Sequence, residues 1–235
     1  MLRDDTVFTR FPKQRPPLPD AYRDIYAEHY KRNREGASPA SSIAQRMESW
    51  MHRQVAKDVR GRKQAPATLE IGAGNLNHLR YEPAAIRYDV VESITALAEN
   101  SSYRSRVTNV YADPADIRGE RYDRIISIAA FEHYVNLPDV VSTCAALLTP
   151  GGQLRVAIPS EGTILWTLGW KLTTGLEFRR RYGLDYGVLM RHEHVNTAAE
   201  IEAVLRATFA SVRRSVFGIS AGLSFYQFFE CRFTS

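Results

Sequence analysis

The chain has 235 residues, 44% of them hydrophobic and 24% charged, with a net charge of +5. That length allows one α/β domain with a modest extension and leaves two folded domains cramped. Only Cys144 and Cys231 are present, which excludes a disulfide framework and suits a reducing compartment, so a cytoplasmic location is expected.

Residues 1 to 20 carry charges where a secretory signal has its apolar run, and no later stretch supplies the roughly 18 apolar residues of a membrane span. Pro12, Pro16, Pro17 and Pro19 make this segment extended or disordered. Helical spacing follows from Ala21 to about Arg34 and from Ser41 to about Val59, with Pro39 inside the linker between them. Residues 1–64 thus read as a tail and helical cap, ahead of a domain over 65–235.

The domain opens on "ATLEIGAGNLNHL". Ala67 to Ile71 is a buried strand, Gly72-Ala73-Gly74 is a tight turn, and Asn75 and Asn77 suit the start of a helix. Glycine there admits positive φ and lets a ligand approach the main chain. A dinucleotide fingerprint requires a third glycine where Asn77 stands and an apolar residue where Glu70 stands, so a nicotinamide cofactor is disfavoured.

Apolar runs then recur at "IRYDVV", "VTNVYA", "YDRIISIA" and "GQLRVAIP", the last after a helix over "LPDVVSTCAALL". Alternating strands and helices predict a mostly parallel sheet covered on both faces. The last two strands, "ASVRRSVFG" and "SFYQFFECRF", are separated too briefly for a crossover and should pair antiparallel.

"LEIGAGN" resembles the first motif of the class I S-adenosylmethionine-dependent methyltransferases: Glu70, Gly72 and Gly74 match, and Leu76 stands where a third glycine is common. The resemblance runs densely over residues 67–161. It implies a doubly wound, mostly parallel seven-stranded sheet ending in an antiparallel strand, with S-adenosyl-L-methionine as cofactor. The cofactor-binding positions it implies are Glu70, Gly72, Ala73, Gly74, Asn75, Glu92, Ser93, Asp113, Pro114 and Ala129. Glu92 stands twenty positions after Gly72, where an acid accepts hydrogen bonds from ribose; a solvated capping acid is the alternative. Asp113 is placed for the adenine amine, although an Asp-Pro turn accounts for the same residues.

"SIAAFEHYVN" resembles the segment that closes over the methionine end of the cofactor, putting Glu132 and His133 at the ligand edge. His133 is the first candidate base for a hydroxyl acceptor and His194 the second, against the alternative that both tie loops to carbonyls. In "MRHEHVN", His192, Glu193 and His194 alternate in direction, so no metal is expected. Residues from about 162 to 192 form a long insert read as a lid, with Trp166, Arg179 and Tyr182 as substrate contacts beside Glu132; an aromatic stripe in the core with arginines in water is equally compatible.

The expected activity is methylation of a hydroxyl, with an amine second, on a small metabolite or sugar-containing compound whose anionic groups the arginines would suit. An RNA or protein methyltransferase ranks lower because no separate recognition domain is evident, and a cofactor-binding regulator without catalysis ranks third. Nucleic acid is not an expected partner, and oligomeric state is not legible.

Overall fold

The computed structural model describes residues 5–23, 25–26 and 39–233. Its centre is a seven-stranded sheet of order β3-β2-β1-β4-β5-β7-β6. The strands are β1 (Thr68–Ile71), β2 (Tyr88–Val91), β3 (Val110–Tyr111), β4 (Tyr122–Ile128), β5 (Leu148–Pro159), β6 (Ser211–Ser220) and β7 (Leu223–Arg232). β1, β2, β3, β4 and β5 pair in parallel, while β7 runs antiparallel to both neighbours. The seven-stranded, doubly wound expectation with a final antiparallel strand is therefore met.

Strand alternation sorts the core into two halves. Leu69, Ile71, Ile125, Val156, Ile158 and Phe229 face one side, against the helices Leu137–Leu147 (α3) and Ala198–Thr208 (α7). Val90, Ile126, Ile128, Ala157 and Phe228 face the other, with Met51 and Val55 of the helix Pro39–Val55 (α1). The predicted second N-terminal helix is thus present, slightly displaced. Of the predicted first one, residues 20–23 and 25–26 are helical and the remainder lies outside the described residues.

α1 is fixed by two arginines buried within the sheet. Arg124 of β4 donates to the Val55 carbonyl at 2.9 Å, and Arg155 of β5 donates to Val55 at 2.9 Å and to Gln54 at 2.8 Å. These are the carbonyls left open at the helix C-terminus, where positive charge is favoured. The arginines are neutralised in turn: Arg124 donates to both oxygens of Glu82 and to Asp58, and Arg155 to Glu230. Seating α1 this way holds Glu48 and His52 over the carboxyl ends of the strands.

Two expectations differ from what forms. No long helix follows the glycine turn; residues Asn77–Tyr81 make a 3₁₀ helix, and the first α-helix after β1 is the short Thr95–Glu99 (α2). The cause is Leu76, which takes a left-handed φ of 65° and is fully buried among the α1 contacts, so the chain dives into the core instead of coiling outward. Against the expectation, Asp5–Arg10 form a 3₁₀ helix; the proline-bearing residues 11–19 form no helix, and the segment is ordered and strapped to the protein. Lys13 donates to the Val195 carbonyl at 2.8 Å and pairs with Glu200, and Arg15 donates to the carbonyls of His192 and His133.

Candidate active site

The sheet order reverses between β1 and β4, and in open α/β sheets ligands sit at that point beyond the carboxyl ends of the strands. The loops leaving those two strands touch there. Gly72 has φ 72°, and a Cβ added to it would lie 2.4 Å from the Ala130 Cβ, so only glycine fits. Opposite it, Ala129 is itself held at a positive φ of 49°. The two strained backbones clear a cavity of about 450 Å³ lined by Glu70, Gly72, Ala73, Gly74, Asn75 and Ala129.

Glu70 is almost fully buried, and its carboxylate accepts from the Tyr88 hydroxyl at 2.6 Å. Burial raises its pKa to about 8 despite that hydrogen bond, which favours the charged form. The acid at the floor of the cavity is therefore protonated at neutral pH and poised to ionise when a cation arrives. Glu92 at the end of β2 turns inward: its Oε2 accepts from Gly74 N at 2.8 Å and its Oε1 from Ile94 N at 3.0 Å. It braces the glycine turn. Ser93 beside it is exposed.

Asp113 and Pro114 form the Asp-Pro turn that was the alternative reading, with Asp113 capping a 3₁₀ turn by accepting from Ala115 N at 2.7 Å. They line a second hollow with Tyr134. Burial, with Glu92 and Asp113 nearby among the charges, raises the Tyr134 pKa, so both acids lie in one neighbourhood. Glu92 and Asp113 do not line the 450 Å³ cavity, and of the two only Asp113 lines the second hollow.

At the far wall of that cavity His133 and His194 meet, their ring centroids 5.0 Å apart and edge to face. His133 follows β4 directly, while His194 ends the helix Tyr186–Glu193 (α6). His133 Nδ1 lies 2.9 Å from the Glu193 carbonyl oxygen, and His194 Nδ1 lies 2.8 Å from Glu161 Oε2. Both partners only accept, so each Nδ1 carries a proton and donates, and Nε2 is the remaining ring nitrogen. Burial alone would lower the His133 pKa, but Glu193 and Glu132 outweigh it and raise the value, so positive charge is favoured at this spot. Glu193 is opposed by burial and yet brought down to about 2 by His133, Tyr26 and Arg15.

Of the predicted substrate contacts, Glu132 is buried behind the histidines, and its backbone carbonyl accepts from Val195 and Asn196. Trp166 stacks on His194 and donates to Glu161 at 2.7 Å, so it orients the histidine without lining the cavity. Tyr182 packs with Tyr22, Phe178 and Leu189, and Arg179 borders a separate surface hollow with Trp170 and Asp185. The insert is one nearly continuous helical run, Ile164–Trp170 (α4), a π turn Lys171–Gly175 and Leu176–Tyr182 (α5). Its far end supplies Tyr186, Leu189 and Met190 to the cavity. Sequence reasoning gave no role to Arg15, Tyr26, Glu48 or His52, because their place at the site depends on how the N-terminal segments fold back.

No protein-family model matches the chain, and no curated protein matches it. Solved structures do. An O-methyltransferase family protein from Burkholderia thailandensis superposes with a TM-score of 0.58 at 15% identity, covering 98% of this chain and 69% of that one. The N-methyltransferase NodS from Bradyrhizobium japonicum WM9, in complex with S-adenosyl-L-homocysteine, gives 0.56 at 16% identity over 92% of this chain and all of that one. The CurJ carbon methyltransferase gives 0.59 at 19% identity over 92% and 62%. The fold is that of the S-adenosylmethionine-dependent methyltransferases.

Proposed function

We propose that this protein transfers a methyl group from S-adenosyl-L-methionine to a hydroxyl of a small metabolite or sugar-containing compound, in the cytoplasm. The single observation that carries the reading is that one cavity joins the Gly72–Gly74 turn and the buried acid Glu70 to two imidazoles whose Nδ1 atoms are each held by an acceptor.

The residues present fit the cofactor: Gly72 keeps the cradle open, and the protonated Glu70 is the acid that an incoming ammonium would ionise. When bound, S-adenosyl-L-methionine supplies a methyl carbon on a sulfonium leaving group. Gly74 and Asn75 offer main-chain contact along the turn, and Glu92 keeps that turn in shape. Asp113 and Pro114, which line the neighbouring hollow, and Ser93 beside Glu92 are the residues we assign to the adenosine end.

Since O-, N- and C-methyltransferases share this fold, the acceptor is inferred from the far wall. A hydroxyl must lose a proton during transfer, and a positioned imidazole accelerates such steps by about 10² to 10⁴. His133 and His194 both line the cavity with Nδ1 held by an acceptor, His194 with Glu161 behind it as the orienting acid, so Nε2 of the neutral ring is the atom that would take the proton. Positioning of the acceptor by Tyr186, Leu189 and Met190 supplies the remainder.

The test is methyl transfer from labelled cofactor to a panel of sugars and hydroxylated metabolites alongside matched amines, with calorimetry of S-adenosylhomocysteine. Binding of the homocysteine compound and label on hydroxyl acceptors, with loss of turnover in His133→Ala, supports the reading. Absence of cofactor binding overturns it, and label confined to amines overturns the hydroxyl part.

A further inference from the structure

His192, Glu193 and His194 alternate in direction, and no other ligand pair with recognised spacing appears in the sequence. The fold changes the donor set by bringing Glu132 and His133 up to His194 from another loop. One ligating atom from each of the three lies within 4.8 Å of the others. We propose that Glu132, His133 and His194 bind a divalent first-row transition metal ion at the wall of the cavity.

Three independent features of the site point to a cation. The Glu132 side chain is 1% exposed, yet its Oε2 has no hydrogen-bond partner among the described residues, a costly state for a buried carboxylate oxygen. Its other oxygen lies 3.9 Å from His133 Nε2, so the carboxylate points into the cluster. Both histidines also have the outer partners that metal-bound imidazoles use, one Nδ1 on a backbone carbonyl and the other on a carboxylate, leaving both Nε2 atoms as ligands.

The other close imidazole pair lacks these features. His52 and His78 bond to each other through their Nδ1 atoms at 3.0 Å, and His78 Nε2 is taken by Glu82 at 2.7 Å. Those nitrogens are already occupied.

Ligand atoms around an ion at about 2.0 to 2.2 Å lie roughly 3.4 Å apart in a tetrahedron, so side-chain rotations of about 1 Å assemble the site. Two neutral imidazoles and one carboxylate suit manganese, iron, cobalt, nickel or zinc better than the all-oxygen preference of calcium or magnesium. Three protein ligands leave a position open toward the cavity. With both Nε2 atoms on the ion, the open position and not an imidazole would take the acceptor oxygen and ease its deprotonation, a role that rests on the methyl transfer proposed above; the metal site itself does not.

The experiment is a cobalt(II) titration of the full chain, stripped of metals by chelator, followed by visible absorption, with manganese(II) and zinc(II) by calorimetry. The expected result is one equivalent bound, with affinity falling at least about tenfold in Glu132→Gln and in His194→Ala and unchanged in the control His192→Ala. His192 faces the other way, its Nδ1 on the Pro16 carbonyl. Thermal unfolding by circular dichroism establishes that each variant is folded. Should the Glu132 variant not fold, His194→Ala carries the test alone, since that side chain is at the cavity surface. Absence of binding, or binding equal in wild type and His194→Ala, overturns the site. S-adenosylhomocysteine binding on the same metal-free samples separates the two readings: cofactor binding without metal binding removes only the ion, and metal binding without cofactor binding removes only the methyl transfer.

Discussion

Glu161 accepts from His194 Nδ1 at 2.8 Å and from Trp166 Nε1 at 2.7 Å through the same oxygen, Oε2. The carboxylate thus fixes the imidazole's tautomer while the indole fixes the carboxylate. Replacing Glu161 by Gln keeps an acceptor in place and removes the charge. Such outer partners are worth about 10- to 100-fold in activity. Glu161→Gln should therefore lower turnover by that amount with S-adenosylhomocysteine affinity unchanged. A variant with wild-type turnover would remove Glu161 from the mechanism.

Glu70 predicts how cofactor affinity varies with pH. Its pKa is raised to about 8 in the unliganded protein, and a bound ammonium favours the ionised form. Below that pH, binding must release the Glu70 proton; above it, the proton is already gone. Affinity for S-adenosylhomocysteine should be full above about pH 8 and fall by up to about tenfold per pH unit beneath it. Calorimetry from pH 6 to 9 in buffers of different ionisation enthalpy reads both the affinity and the released proton. A flat affinity with no proton release would show that Glu70 does not meet the cofactor's charge.

A second pH dependence belongs to stability. Burial opposes the Glu82 carboxylate, yet His78 and Arg124 bring its pKa down to about 2, and burial brings His78 down to about 4. Both folded values lie below the unfolded ones. Each group therefore contributes stability that is present at neutral pH and lost as pH falls, first through His78 between about 6.5 and 4, then through Glu82 between about 4.5 and 2. Denaturant unfolding should show a two-stage decline across that range. Arg124→Ala leaves Glu82 buried without its cation and should cost about 3 to 5 kcal/mol at neutral pH. A loss under 1 kcal/mol would mean that water or a repacked side chain takes over the pairing.

This buried network also shows where sequence legibility stopped. Recurring apolar runs located β4 and β5, whose Ile125, Val156 and Ile158 pack into the core. It could not say that Arg124 and Arg155 point into the protein, since the helix carbonyls they bond come from residues 54 and 55, far away along the chain. The glycine turn and its acid were readable because their chemistry is local. The short 3₁₀ turn after them was not, because Leu76 is held left-handed by core contacts with α1 and not by its neighbours. His133 and His194 were each visible as candidates, but their meeting depends on α6 folding back over β4. The insert was legible as an insert only; which residues enter the cavity follows from helix packing, which placed Tyr186 there and Arg179 outside.

The same dependence on distant contacts makes Arg15 the most exposed prediction. Its guanidinium donates to the His133 carbonyl at 2.8 Å and the His192 carbonyl at 2.7 Å, so one side chain from the N-terminal strap joins the two loops that carry the facing imidazoles. It touches neither the glycine turn nor Glu70. Hydrogen bonds to a charged group are worth about 1.5 to 3 kcal/mol, and two carbonyls held by one planar fork are a geometry that lysine cannot reproduce. Arg15→Ala should loosen the imidazole pair, seen as faster hydrogen exchange at the Val195 and Asn196 amides that bond to the Glu132 carbonyl. Turnover should fall while S-adenosylhomocysteine affinity stays within about twofold, and Arg15→Lys should restore little of it. Cofactor binding lost in parallel with turnover would instead mean that the strap supports the whole sheet edge, and unchanged exchange at residues 195 and 196 would mean that the loops hold their positions without it.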